Sequence, residues 1–283
     1  MTGTLYVVGT PIGNLEDLTA RAGRVLSEVG VVAAEDTRRT GLLLKRLGAT
    51  ARLISMFEGN EPDRVPLVLG ILRGGQDVAV VSDAGMPSVS DPGYRLVAAC
   101  VEGGVPVDVV PGPSAAIAAL VVSGLPTDRF AFEGFLPRSG SARRTRLAQL
   151  SEEPRTIILF ESPRRLEKTL GDLAEALGER RVAVARELTK LHQEVLRGAL
   201  TDVQAGIRGR ELKGEIAVVV EGRRRPARAD PDQAARLARG FLAAGVSKRE
   251  AARRAASGTG VPSRDVYERL IRPPTEGPDE GDP

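Results

Sequence analysis

The apolar positions of this chain fall into two kinds of run. Short stretches of aliphatic and β-branched residues recur at Leu5 to Val8, Val31 to Ala34, Arg52 to Ser55, Val78 to Ser82 and Val107 to Val110. Several of them lack polar alternation, the pattern of strands covered on both faces. Between them lie segments with apolar residues at helical spacing, such as Leu18, Ala22, Val25, Leu26 and Val29, with Asp17 or Thr19 as possible starts and Gly30 as the stop. Strand and helix in alternation predict a doubly wound, mostly parallel sheet.

A second set of strands begins near Arg129, at Phe130 to Glu133, Thr156 to Glu161, Val182 to Arg186, Glu194 to Ala199 and Glu215 to Val220. One clear helix falls among them, where Leu166, Leu170, Leu173 and Leu177 share a face. The two strands on either side of residues 187–193 leave no room for a crossover helix, so this sheet should be mixed. Three further helical patterns, at Ala234 to Ala244, Lys248 to Ala256 and Arg264 to Ile271, are punctuated by Gly245 and Gly258. The expected organisation is therefore an α/β domain over residues 1–125, a second over 126–222, a basic helical module over 223–272 and a disordered acidic tail over 273–283. The Arg-Arg-Arg-Pro at residues 223–226 serves as the linker before the module.

Composition narrows the chemistry. Aromatic residues make up only 3% of the 283 positions, so the cores must be filled by Val, Leu, Ile and Ala. There is no apolar run of membrane-spanning length and no signal-peptide pattern, which predicts a cytoplasmic protein without a membrane. The one cysteine, Cys100, sits on an apolar helical pattern and reads as a buried hydrophobe. With His192 the only histidine, no metal site is expected, and a hydrolytic triad has just one candidate base.

Charge is distributed unevenly. Residues 223–272 carry 13 Lys and Arg against 5 Asp and Glu, a net +8, whereas residues 1–222 are close to neutral at −1. A neutral body with a basic appendage suits a nucleic-acid modifier, and equally an exposed charged helix pair. The three short helices are compatible with a helix-turn-helix-like module and with a plain structural cap.

Turn residues concentrate after the first-domain strands, where open α/β sheets bind their ligands. The loops are Gly9-Thr10-Pro11-Ile12-Gly13-Asn14, Ser82-Asp83-Ala84-Gly85-Met86-Pro87 running on to Asp91-Pro92-Gly93, and Pro111-Gly112-Pro113-Ser114-Ala115. They lack the phosphate-binding GxxxxGK[ST] pattern and the GxGxxG fingerprint, so a nucleoside triphosphate or dinucleotide is a poor fit. A zwitterion with a cationic sulfur suits small residues and one carboxylate, with Asp83 the candidate; Asp83 could equally cap its turn.

These loops, together with Ala34-Glu35-Asp36-Thr37-Arg38 and Arg186-Glu187-Leu188-Thr189-Lys190, resemble the tetrapyrrole-methylase superfamily (class III methyltransferases), over residues 3–272. More narrowly they are similar to its branch that 2′-O-methylates a decoding-centre cytidine of 16S ribosomal RNA. The resemblance implies two α/β domains, a homodimer, S-adenosylmethionine held between the domains, and 16S rRNA or the small ribosomal subunit as partner. By motif it assigns the donor site to Pro11, Asp83, Met86, Ser114, Ala115, Phe160 and Ala217. One departure is Pro163-Arg164-Arg165, where many relatives carry Pro-His-Arg, which leaves the role of Arg164 open.

A ribose hydroxyl must lose its proton during or after attack on the methyl group. Glu35, Asp36, Glu187 and Lys190 are the acid/base candidates, with Lys190, Glu187 and Asp36 expected to be catalytic. Lys190 ranks first as proton acceptor, although a lysine beside Glu187 also makes a simple ion pair. Phosphate contacts are expected from Arg38 and Arg39, from Arg143, Arg144 and Arg146 in a loop with Arg138, and from Lys248 and Arg249 in the module. Two rival functions stay open: methylation of a tetrapyrrole or corrinoid carbon, and a non-catalytic RNA-binding assembly factor.

Overall fold

The computed structural model describes residues 1–223 and 230–271. Most of the linker and the whole of the acidic tail expected from the sequence lie outside the described residues. The chain divides into two compact units, Met1–Gly222 and Arg223–Pro283.

The first unit holds two five-stranded sheets. In the first, β1 (Leu5–Val8), β2 (Val31–Ala34), β3 (Arg52–Ser55), β4 (Val78–Val81) and β5 (Val107–Val110) run parallel in the order β3-β2-β4-β1-β5. The central strands β2 and β4 are buried at all four positions. Helices α1 (Ala20–Glu28) and α2 (Thr37–Leu47) bury Ala22, Val25, Leu26 and Leu44 on one face of the sheet. On the other, α3 (Glu61–Arg73) and α4 (Tyr94–Glu102) bury Val68, Leu72, Leu96 and Cys100. Of the two possible starts of α1, Thr19 is the cap: its side chain accepts from the Ala22 amide.

In the second sheet, β6 (Phe130–Phe135), β7 (Thr156–Glu161), β8 (Arg181–Arg186), β9 (Glu194–Ala199) and β10 (Ile216–Val220) lie in the order β6-β7-β10-β8-β9. Only β6 and β7 are parallel; the other neighbours are antiparallel, so the sheet is mixed as expected. Helices α6 (Gly140–Ser151), α7 (Pro163–Leu177) and α8 (Leu200–Ile207) cover one face. The opposite face is covered by α5 (Ala115–Ser123), which follows the last strand of the first sheet, and by Ile12 from the loop after β1. The two sheets are thereby joined through a shared apolar cluster, and their adjoining edges frame a cleft.

Two local expectations change. The stretch with Arg143, Arg144 and Arg146 is helical, because Arg143, Leu147 and Leu150 at i, i+4 and i+7 form a buried stripe. In the second unit, α9 (Pro231–Ala243), α10 (Lys248–Thr259) and α11 (Ser263–Ile271) close on Ala234, Ala238, Ala251, Ala255 and Val266. There Gly258 lies inside α10, and the stop is Gly260 with φ +70°.

Candidate active site

The three Gly/Pro loops leave the same edge of the first sheet because all its strands run one way. They are fastened to one another. The Thr10 and Gly85 backbones exchange hydrogen bonds of 2.9 and 3.0 Å, and the Thr10 hydroxyl donates to the Ser82 carbonyl. The loops after β1 and β5 touch backbone to backbone, so that a Cβ on Gly9 would stand 2.7 Å from the Cα of Gly112. Only glycine fits there.

Against this edge the second sheet presents Phe160, Ala217 and Ala185, which are direct neighbours across β7, β10 and β8. The two small alanines keep the space open. The result is a cavity of about 410 Å³, within the usual range for a small-molecule site. Its wall includes Asp83, Met86, Ser114, Ala115, Phe160 and Ala217. Of the donor residues expected from the motifs, only Pro11 is placed elsewhere: it lines a smaller adjoining recess with Arg39, Arg46 and Asp83.

The cavity carries five acids, Glu35, Asp83, Asp91, Glu161 and Glu215, and a single base, Arg39. That is far more negative than the one carboxylate expected. Glu35 and Asp83 brace the ends of β2 and β4 reciprocally: the Asp83 amide donates to Glu35 Oε2 at 3.1 Å, and the Asp36 amide donates to Asp83 Oδ1 at 3.0 Å. Asp83 Oδ2 also faces Arg39 at 3.3 Å. Asp83 thus holds its loop while lining the cavity, so the turn-capping and ligand-facing alternations are both present in one residue.

Asp91 was not singled out by sequence. Ser88 and Ser90, which precede it in the same turn, have left-handed backbones, φ +71° and +64°, and the turn is closed by the Ser88 amide donating to the Pro92 carbonyl. Its far end is held by Glu61, a carboxylate only 5% exposed that accepts from the amides of Gly93, Arg95 and Leu96. Burial, reinforced by the negative charge of Glu35, pushes the Asp91 carboxyl up to about 7, although Ser82 hydrogen-bonds to it. Burial also raises Glu35. The signal in the sequence was an acid in Ser-Asp-Pro-Gly, inside a turn-rich loop at the ligand-binding edge.

The expected catalytic residues are arranged differently. Asp36 caps α2, accepting from the Arg38 amide and pairing with the Arg38 guanidinium, whose hydrogen bonds hold its carboxyl well below the usual range. Such a carboxylate is a weak base. Lys190 donates to Glu187 at 2.8 Å and to Glu215 at 3.2 Å. Burial works against its charge, but the two carboxylates outweigh it and raise the lysine further, while Lys190 in turn lowers Glu187. Of the two arrangements expected of Lys190, the ion pair is the one present. The turn that carries it is strained, with φ +52° at Glu187 and +65° at Thr189. Gly214 packs over it, where any Cβ would collide with the Glu187 carboxylate. Every described non-glycine residue with positive φ lies in this turn or in the Ser88–Ser90 turn. His192 is exposed.

Among the expected RNA contacts, Arg143 is not at the surface. It is 5% exposed and donates to Asp172, Thr169 and the Pro137 carbonyl, because α6 turns it inward with Leu147 and Leu150. Arg146 pairs with Glu133. Arg38, Arg39, Arg144, Lys248 and Arg249 are exposed, as is Arg164 at the start of α7. Among the described residues no cluster of His, Cys, Asp or Glu is placed to hold a metal ion, and no helix is long and apolar enough to cross a membrane.

Residues 4–204 match the family of tetrapyrrole (corrin/porphyrin) methylases. Ribosomal RNA small subunit methyltransferase I of Micromonospora olivasterospora is 48% identical over 272 residues, spanning 95% of this chain and 87% of that one. The protein of the same name from Thermotoga maritima is 51% identical over 221 residues, spanning 78% of this chain and 99% of its own. Among solved structures, uroporphyrin-III C-methyltransferase from Thermus thermophilus superposes with a TM-score of 0.54 at 27% identity, covering 77% of this chain and 94% of that one.

Proposed function

The chain belongs to the tetrapyrrole methylase family and, within it, to the ribosomal RNA small subunit methyltransferases I, and on that basis we propose that it methylates small-subunit ribosomal RNA from S-adenosylmethionine. The acceptor in this proposal is the ribose 2′-hydroxyl of a decoding-centre cytidine in 16S rRNA. The enzyme would act as a cytoplasmic homodimer.

The observation that carries the proposal is the charge and shape of the cavity. A sulfonium donor brings a cationic sulfur and an ammonium group, and five acids against one base favour a cation over a phosphate or nucleotide. Asp83, Met86, Ser114 and Ala115 would hold the donor from the first-sheet loops, and Phe160 and Ala217 from the second sheet. The Ser114 side chain caps no amide of α5, which leaves the first-turn amides of that helix available to a carboxylate. When bound, S-adenosylmethionine supplies an activated methyl group with a good leaving group, so the residues around it act mainly by orienting the partners and handling one proton.

RNA would be approached through exposed arginines at the cavity mouth and by the basic module. Within the described part of the module Arg253, Arg254, Arg264 and Arg269 pair with its own acids, while Lys248 and Arg249, like Arg236 and Arg239, are exposed and could meet phosphates. The Thermotoga relative is matched almost whole by 221 residues, close to the length of Met1–Gly222, which supports placing the methyl-transfer chemistry in the first unit.

Labelled methyl transfer to small-subunit rRNA, followed by mapping of the modified nucleotide in cells with and without the protein, tests the proposal. Stoichiometric donor binding and a methyl group lost from one ribose support it. Donor binding with transfer only to a tetrapyrrole, or RNA binding without donor binding, would replace it with one of its rivals.

A further inference from the structure

Methyl transfer to a hydroxyl leaves one proton to be removed, and of the four acid/base candidates in the sequence three are engaged in ion pairs. Asp36 is bound to Arg38, and Lys190 lies between the carboxylates of Glu187 and Glu215. Two carboxyls on the wall have no cation hydrogen-bonded to them, Glu35 and Asp91, and they differ in how they are used. Glu35 accepts the Asp83 amide and so helps to fix the strand ends. Asp91 braces no backbone across the cavity. It directly follows two left-handed serines in a turn closed on itself by the Ser88–Pro92 hydrogen bond and clamped just beyond by buried Glu61. Strain of this kind is kept where the surrounding structure imposes it, and here its effect is to hold a carboxyl in the cavity wall.

We propose that Asp91 is the catalytic base of the methyl transfer, accepting the proton of the acceptor hydroxyl. This rests on the methyltransferase function proposed above. In the step, the hydroxyl oxygen forms a bond to the methyl carbon as the carbon–sulfur bond breaks. The bonding pair goes to sulfur, which becomes a neutral thioether, and the hydroxyl proton passes to the Asp91 carboxylate and then to solvent.

The groups that act on Asp91 are Glu35 at the end of β2, Asp83 and Ser82 in its own loop, and Glu215 before β10; Glu161 of β7 and Arg39 of α2 share the cavity. Three of these are acids whose charge raises Asp91, and burial raises it more than any of them. A base of pKa about 7 is half deprotonated at neutral pH and still basic enough to work, the condition for efficient general base catalysis.

Asp91→Asn removes the base and keeps the shape. Its kcat should fall at least about 100-fold while S-adenosylmethionine affinity, measured by calorimetry, stays within about twofold. The wild-type kcat should fall about tenfold per pH unit below about 7, and this limb should be missing from the residual activity of Asp91→Asn. Glu35→Gln should move the wild-type limb to lower pH.

A measurement without donor or RNA checks the same group. A carboxyl whose folded pKa is raised stabilises the fold below its unfolded pKa, and that contribution is lost as pH rises through about 7. Relative to wild type, Asp91→Asn should therefore gain melting temperature as pH rises from about 3.5, with the full gain reached above about pH 7. Full kcat in Asp91→Asn overturns the assignment, as does a wild-type pH limb that persists in the variant. If wild-type protein neither binds donor nor methylates rRNA, the proposed function falls; if it does both and Asp91→Asn matches it, only the role of Asp91 falls.

Discussion

On the first-sheet side of the cavity, Glu35 and Asp91 are half-buried beside one another with no cation hydrogen-bonded to either, and both are raised above the ordinary carboxylate range. On the second-sheet side, Glu187, next to the wall residues Leu188 and Glu215 but not itself in the cavity lining, pairs with Lys190 and is lowered. All three are carboxyls. What separates them is how far burial outweighs the cations that reach the carboxylate. The paired groups fasten the turn at Glu187–Lys190 to Glu215, whereas Glu35 and Asp91 keep carboxyls without a hydrogen-bonded cation among the described residues. Asp36 sharpens the point, since it stands in chain beside Glu35 yet belongs with the paired group through Arg38.

The paired pattern extends behind the cavity wall. Glu161 accepts from Thr169, which accepts from Arg143, which is also bound to Asp172 at 2.7 Å. The largest effect expected is therefore structural. Arg143→Ala should cost about 3 kcal/mol of stability by stranding these partners, and should leave the salt dependence of RNA binding unchanged in protein that remains folded. Urea denaturation and binding at several salt concentrations check this. A stable variant with a shallower salt slope would return Arg143 to the RNA surface.

Next in size, Asp83→Ala should weaken donor binding at least tenfold, about 1.4 kcal/mol, because it removes a wall carboxylate and releases the Asp36 amide and Arg39. Calorimetry decides, and unchanged affinity would separate Asp83 from the donor site. A smaller effect is expected on the paired side: Lys190→Met should keep kcat within about threefold. Because Glu187 is lowered by Lys190, its contribution to stability is present above its unfolded pKa and lost as pH falls through the folded value. Lys190→Met should therefore flatten the loss of stability between pH 6 and pH 3. A hundredfold loss of kcat in this variant would move the proton chemistry to the second-sheet side. Smallest of all, truncation after Gly222 should leave donor affinity unchanged, since both sides of the comparison lie within Met1–Gly222. A lost donor site would show that the second unit is needed to build it.

The alternation of apolar runs made both sheets legible, down to the mixed order of the second, because each strand is a short aliphatic run bounded by turn residues. The loops at the ligand edge were legible for the same reason. Helix α6 was not, because an arginine occupies one of its three buried stripe positions and the rest of the segment is polar. Its burial depends on Asp172 and Thr169, about thirty residues away, which no local pattern reports. Six of the seven residues expected from the motifs line the cavity, and Pro11 lines the adjoining recess. The surroundings of the acid/base candidates were not legible in the sequence for a physical reason. A sequence shows which carboxylates and lysines are near in chain, but the state of Asp91 depends on its burial and on Glu35 and Glu215, which lie far from it in chain.

Carboxyl carbon NMR of the uniformly labelled protein, titrated from pH 3 to pH 9 with Asp91→Asn and Glu187→Gln as assignment controls, measures the two sides of the cavity in one sample. The account predicts that Asp91 titrates near 7 and Glu187 below 4.5. Both groups titrating together in the ordinary carboxylate range would contradict it.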